Sequence, residues 1–284
     1  MPPGLQRLAA QKAGALWLAQ LPQLIDQLAD RWSLELGAPY PGATTSYVAP
    51  ARRRGQQVVL KIQWPHAECA NEADALRAWS GDGAIRLLDH DADRHALLLE
   101  ACSPGMPLSS AEDVDPLDVL IDLLPRLWKP AGAPFRTVAE EAAGWARTLH
   151  ASWQAHGRPC EKKLVDAAAG YLANLPASQQ DQVLVHQDLH GDNVLSAERE
   201  PWLAIDPKPL LGERAFALAP IIRSFEFGHS KALVIGRLDC LSSALGLDRA
   251  RVLGWTIAQT MAWSFESDYA DRHHQTVRWL LPAA

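Results

Sequence analysis

Val185-His186-Gln187-Asp188-Leu189-His190-Gly191-Asp192-Asn193-Val194-Leu195 and, a little further on, Trp202-Leu203-Ala204-Ile205-Asp206-Pro207 are the two stretches that decide how this chain is read. An apolar, strand-like run ends in His-x-Asp. An Asn follows five residues after that Asp, and a second Asp closes the next apolar run. Moving a phosphoryl group from ATP needs a carboxylate that orients the attacking hydroxyl and takes its proton. It also needs oxygen ligands that hold Mg²⁺ against the phosphates. Asp188 suits the first task, Asn193 and Asp206 the second. Two other readings stay open. His186, Asp188 and His190 alternate and could ligate zinc from one face of a strand, as in a metal-dependent hydrolase, but Asn193 and Asp206 then have no task. The site could also bind nucleotide without turning it over, as a pseudokinase or sensor does. His186 reads as a positioner of the loop, and His190 has no assigned role.

These residues resemble the H-x-D-x-x-x-x-N…D motif of the aminoglycoside phosphotransferase superfamily, itself similar to the catalytic and metal-binding loops of protein kinases. The run Ala204-Ile205-Asp206-Pro207-Lys208-Pro209-Leu210-Leu211-Gly212-Glu213-Arg214 narrows the resemblance to the aminoglycoside/hydroxyurea antibiotic resistance kinase branch. It extends from about Ala38 to the C-terminus and is most specific over Val183–Phe216. The resemblance implies an α+β, two-lobed, protein-kinase-like fold, with ATP and Mg²⁺ as cofactors and a small polar acceptor. Three positions depart from the family pattern: Gln187 and Pro209 stand where glycine is usual, and Ala217 where Asp is common.

The first lobe should then supply a lysine for the α- and β-phosphates, held by a helix glutamate. Lys61 sits in the apolar run Val58-Val59-Leu60-Lys61-Ile62, where an unpaired charge is costly, and no other lysine lies between Lys12 and Lys129. Glu72, which matches the family's Glu-x-x-x-Leu pattern with Leu76, is the favoured partner; Glu68, one turn earlier, is the rival. Thr44, Thr45 and Ser46, after Pro41-Gly42-Ala43, offer hydroxyls and amides to the phosphates. The backbone of Glu100 to Cys102 should meet the adenine edge, as the resemblance implies.

The rest of the chain fits this frame. It has 284 residues, 48% hydrophobic and 21% charged, ample for a globular core. A net charge of −6 provides no footprint for nucleic acid. Four scattered cysteines suggest reduced thiols in a cytoplasm, and no apolar run is long enough to span a membrane. Strand signals dominate residues 1–102 and helical ones residues 103–284, which divides the chain into a nucleotide-binding lobe and a catalytic, substrate-binding lobe. The pattern predicts two helical segments broken at Pro22, a helix over His66–Trp79, and long helices at Pro116–Trp128, Thr137–His156 and Lys162–Leu175. From Pro107 onward 22 acidic residues face 17 basic ones. That excess suggests a cationic or strongly polar acceptor, with Glu213 and Asp268, and further Glu266 and Asp271, as candidate contacts.

Overall fold

The structure, a computed structural model, describes residues 2–67, 69–179, 181–265 and 267–283. A 3₁₀ segment, Pro3–Ala10, leads into helix α1 (Lys12–Trp32). The helical break therefore falls at Gln11, not at Pro22, which lies inside α1. Pro22 occupies the exposed side, where water can take up the carbonyl its ring leaves unbonded. Trp17, Leu21, Leu28 and Trp32 keep one buried face running through it.

Strands β1 (Leu34–Leu36), β2 (Ser46–Arg53) and β3 (Gln56–Gln63) follow, then α2 (Glu72–Trp79), β4 (Leu87–Asp91) and β5 (Ala96–Glu100). Helix α2 is shorter than the periodicity over His66–Trp79 predicts. The strands form one antiparallel sheet in the order β1-β2-β3-β5-β4. Alternation along β3 and β5 gives this sheet two different neighbours. Val58, Leu60, Ile62, Ala96 and Leu98 pack with α1, whereas Leu97 and Leu99 join Leu76 and Trp79 in a larger core shared with the rest of the molecule.

The second lobe comprises β6 (Pro104–Pro107), α3 (Pro116–Leu127), α4 (Val138–Ala155), α5 (Lys162–Asn174), β7 (Val183–Val185), β8 (Val194–Ala197), β9 (Trp202–Ala204), β10 (Leu210–Gly212), α6 (Ala219–Ile222), α7 (Lys231–Ala244), α8 (Arg249–Ala262) and α9 (Ala270–Leu280). Side chains fix several helix starts: Asp115 caps α3, Thr137 and Glu140 form a capping box on α4, and Asp248 caps α8. Helix α8 is buried on every side from Val252 to Met261, which makes it the axis of this lobe. Two small antiparallel sheets, β6-β8-β9 and β10-β7, carry the loops that matter. Among the described residues no helix is long and apolar enough to cross a membrane.

Main-chain bonds stitch the lobes together. Ala204 N–H donates to Gly83 O (2.9 Å), and Ile85 N–H donates to Ala204 O (3.1 Å). Trp79 Nε1 donates to Leu127 O (2.8 Å), tying the end of α2 to the end of α3.

Candidate active site

The upper wall starts from β3. The pleat that sends Leu60 and Ile62 toward α1 turns Lys61 the other way, where it is 5% exposed. Its ammonium donates to both oxygens of Glu72, at 2.8 and 2.6 Å. Glu72, 1% exposed, opens α2, where the helix N-terminus favours an acid. Gln63 Nε2 adds a third donor at 2.6 Å. Burial pushes the Glu72 carboxyl up to about 7, against the downward pull of Lys61. Burial also opposes the Lys61 charge, but Asp206 and Glu72 outweigh it and hold its pKa above the ordinary lysine value. Glu68 lies outside the described residues.

The lower wall consists of two loops on the small sheets. Pairing of Val185 with Leu210 and of Val194 with Ala204 brings the segment 186–193 beside the segment 205–209. His186 fastens them: its Nε2 donates to Ile205 O (2.8 Å), while Lys208 N–H donates to His186 O (3.1 Å). The ring stacks on Trp79, and burial lowers its pKa to about 4, so it is neutral. Gln187 and Asp206 both have left-handed backbones, φ 65° and 53°. That geometry explains the usual glycine at the first position, since only glycine adopts it without steric cost.

Asp188 lies within 3.0 Å of Lys208 Nζ. Burial alone would raise its pKa, but Lys208, with Arg223 beyond it, reverses the balance and keeps the carboxylate ionised. Asn193 Nδ2 donates to the Asp188 carbonyl at 2.9 Å, which closes the loop on itself. Asp206 follows β9 and reaches across the cleft to Lys61 Nζ, 2.5 Å away. Its side chain is 51% exposed, with one oxygen held against Lys61. Burial works against its charge; Lys61, Lys208 and His186 overcome this and bring the pKa down to about 2.

The remaining predicted positions divide. Ser46 is buried and pairs with Gln63, the residue that also holds Glu72, whereas Thr44 and Thr45 are exposed in the turn before it. The Glu100 side chain is engaged by Arg199 (2.7 and 3.0 Å) and by the amide of Arg86 (2.9 Å), and the Glu100 amide in turn donates to Arg86 O (2.9 Å), so its side chain is committed within the protein. Burial raises the Cys102 thiol to about 11, so it is no nucleophile.

Glu213 is not an exposed acceptor contact. It is 3% exposed, with its carboxylate held by Arg251 at 2.6 and 2.7 Å and by Trp255 Nε1. Asp268 is 70% exposed and pairs with Arg7, at 2.8 Å, in the N-terminal segment. Asp271 lies exposed in the first turn of α9, and Glu266 lies outside the described residues. His186, Asp188 and His190 form no zinc-type cluster among the described residues, because His186 turns to Ile205 and His190 to Glu226. Lys208 and Arg223, which flank Trp263 at 5.0 and 4.6 Å, belong to the site although sequence reasoning passed over them. Lys208 could have been found from its place two residues after Asp206; Arg223 had no such signal.

A lysine of one lobe meeting an acid that follows a strand of the other is the arrangement of the protein-kinase-like phosphotransferases. Comparison with known proteins agrees at the level of fold. A ternary complex of an aminoglycoside phosphotransferase APH(4)-Ia mutant with ADP and hygromycin B matches with a TM-score of 0.67 at 13% identity, covering 91% of this chain and 98% of that one. Choline kinase LicA from Streptococcus pneumoniae matches with a TM-score of 0.67 at 14% identity, covering 93% and 99%.

Residues 31–268 match the profile of the aminoglycoside/hydroxyurea antibiotic resistance kinase family, and the chain belongs to that family. It is a kinase. Streptomycin 6-kinase of Streptomyces griseus is 38% identical over 264 residues (89% of this chain, 86% of that one). Hydroxyurea phosphotransferase of Kitasatospora aureofaciens is 38% identical over 268 residues (89% and 76%).

Proposed function

We propose that this protein transfers the γ-phosphoryl group of Mg–ATP to a hydroxyl of a small polar molecule of the streptomycin or hydroxyurea type. The observation that carries the reading is Asp188: a carboxylate kept ionised in a cleft, on a loop whose Asn193 and neighbouring Asp206 offer oxygen ligands. Asp188 orients the acceptor hydroxyl for in-line attack and takes its proton. Lys61, steadied by Glu72, neutralises phosphate charge. Catalysis then rests on positioning and on charge stabilisation.

The residues present fit Mg²⁺. The donors are oxygens, as a hard cation requires, and the Asp206 carboxylate is half open to the cleft. Asn193 Oδ1 and Asp206 would hold the ion, which when bound neutralises and aligns the phosphates. Thr44, Thr45 and Ser46 cover the phosphates, and the backbone from Glu100 to Cys102 meets the adenine. In support, the Cys102 amide and carbonyl have no hydrogen-bond partner among the described residues. On this reading the nucleotide lies between lobes 1–102 and 103–284, and the enzyme works in the cytoplasm, where ATP is supplied.

The test is ATP consumption by the purified protein against streptomycin, other aminoglycosides, hydroxyurea, sugars and amino alcohols, with mass spectrometry of the product. Phosphorylation of one acceptor well above the ATPase background is expected. ATP hydrolysis unaffected by every acceptor would refute the reading.

A further inference from the structure

His190 lies in the catalytic loop, and the reaction as described gives it no task. Its surroundings form a chain of hydrogen bonds whose directions can be worked out from one end. The Asp188 carbonyl oxygen can only accept, so the Asn193 atom 2.9 Å from it is the amide nitrogen. The same nitrogen lies 3.1 Å from His190 Nε2, and since it can only donate, Nε2 accepts and carries no proton. The ring proton is then on Nδ1, which donates to Glu226 Oε1 at 2.7 Å. Glu226 Oε2 is itself held by the amide of Gly191 (2.7 Å) and by Ser224 Oγ (3.3 Å).

Both amide protons of Asn193 are therefore engaged by the protein, and Oδ1 is the atom left over. Turning the amide over would set its oxygen against the Asp188 carbonyl, two acceptors face to face. Gly191 makes room for this arrangement. A Cβ there would come within 2.8 Å of both Glu226 Oε2 and the Phe227 ring, closer than a real side chain tolerates, so the carboxylate packs directly against bare backbone.

We propose that Glu226 and His190 are positioning residues that fix the Asn193 amide so that Oδ1 faces the divalent cation accompanying the nucleotide. Glu226 selects the Nδ1–H form of His190, and that form selects the orientation of Asn193. Glu226 comes from the segment between α6 and α7, outside the motif that carries the base and the ligands. The proposal rests on the phosphotransfer reading.

The experiment measures Mn²⁺ binding by electron paramagnetic resonance, with and without ADP, in the wild type, Glu226→Gln, His190→Ala and the double variant. Calorimetry of ADP alone and melting temperatures accompany it. Each single variant is expected to weaken Mn²⁺ in the ADP complex by about 10–100-fold, the usual effect of removing the group that orients a ligand. Affinity for metal-free ADP should stay within about twofold, and the double variant should lose no more than the worse single one, because the pair acts as one unit. If Glu226→Gln does not fold, His190→Ala carries the test alone. Unchanged Mn²⁺ affinity in a folded variant, or losses that multiply in the double variant, would overturn the positioning role. So would Mn²⁺ binding without ADP that disappears in Glu226→Gln, because His190, Asp192 and Glu226, whose ligand atoms lie within 4.8 Å of one another, would then be ligands themselves. Failure of the wild type to bind Mn²⁺ more tightly with ADP would instead remove the phosphotransfer reading, on which the proposal depends.

Discussion

Replacing Lys61 with methionine keeps most of its volume but leaves Glu72 buried with Gln63 as its remaining donor. An uncompensated buried charge typically costs about 3–5 kcal/mol, and Glu72 can escape that cost by taking up a proton. Its carboxyl already stands at about 7 with the ammonium beside it; without the ammonium it moves higher. Folded Lys61→Met then holds a proton that the unfolded chain, with its glutamate near the model value of 4.5, releases. A state that binds more protons is favoured at low pH. Both proteins should therefore lose stability on this account from about pH 4.5 upward, but the wild type stops near pH 7 whereas the variant goes on losing it as pH rises. The limiting slope is about 1.4 kcal/mol per pH unit. Between pH 7 and 9 the excess loss can reach roughly 2.7 kcal/mol, or about 5–10 °C in Tm for a chain of this size. Calorimetric melting at pH 6, 7, 8 and 9 reads this directly, and Lys61→Met/Glu72→Gln should flatten the curve again. Parallel Tm–pH curves for the wild type and Lys61→Met would show that Glu72 does not titrate in the pocket, and the reasoning would fail.

Asp188→Asn should cut turnover by roughly two to four orders of magnitude while leaving nucleotide binding with metal intact; Asp206→Ala should weaken metal-dependent nucleotide binding as well, and equal metal affinities in the two variants would contradict the division of roles. Lys208→Met removes the main cation opposing burial at Asp188, so the acid limb of the pH–kcat/KM profile should move up, whereas an unmoved limb would separate Lys208 from the base. Glu213→Gln should lower stability by about 3 kcal/mol, seen as a lower melting temperature or denaturant midpoint, and leave the acceptor KM unchanged. A raised KM with normal stability would return Glu213 to the acceptor.

The sequence revealed those features whose signal is local. Asp188, Asn193 and Asp206 stand at fixed spacings on two short loops, and Lys61 is a charge set in an apolar strand, so they could be picked out as candidates without knowing the fold. Glu213 shows where that stops. Its acidity is visible, but its partners lie 38 and 42 residues downstream on α8, and only packing reveals that the charge is consumed internally. Glu226 was hidden for the complementary reason, since nothing in its own segment marks it and the chain must fold before it meets His190 and Gly191. Pro22 misled because the rule against proline in helices concerns one hydrogen bond. Here a continuous buried face outweighs that bond.

On the phosphotransfer reading, Lys61 would also join two ligands thermodynamically. While its ammonium is shared between Glu72 and Asp206, a phosphate chain must compete with Asp206 for the lysine, and a cation must compete with the lysine for Asp206. Whichever ligand arrives first loosens that contact and lowers the other's energetic cost. On that reading nucleotide and metal would be linked heterotropically, and by reciprocity each would tighten the other by the same factor. The enzyme would favour the loaded metal–nucleotide pair over either component alone, through a bond broken rather than one made.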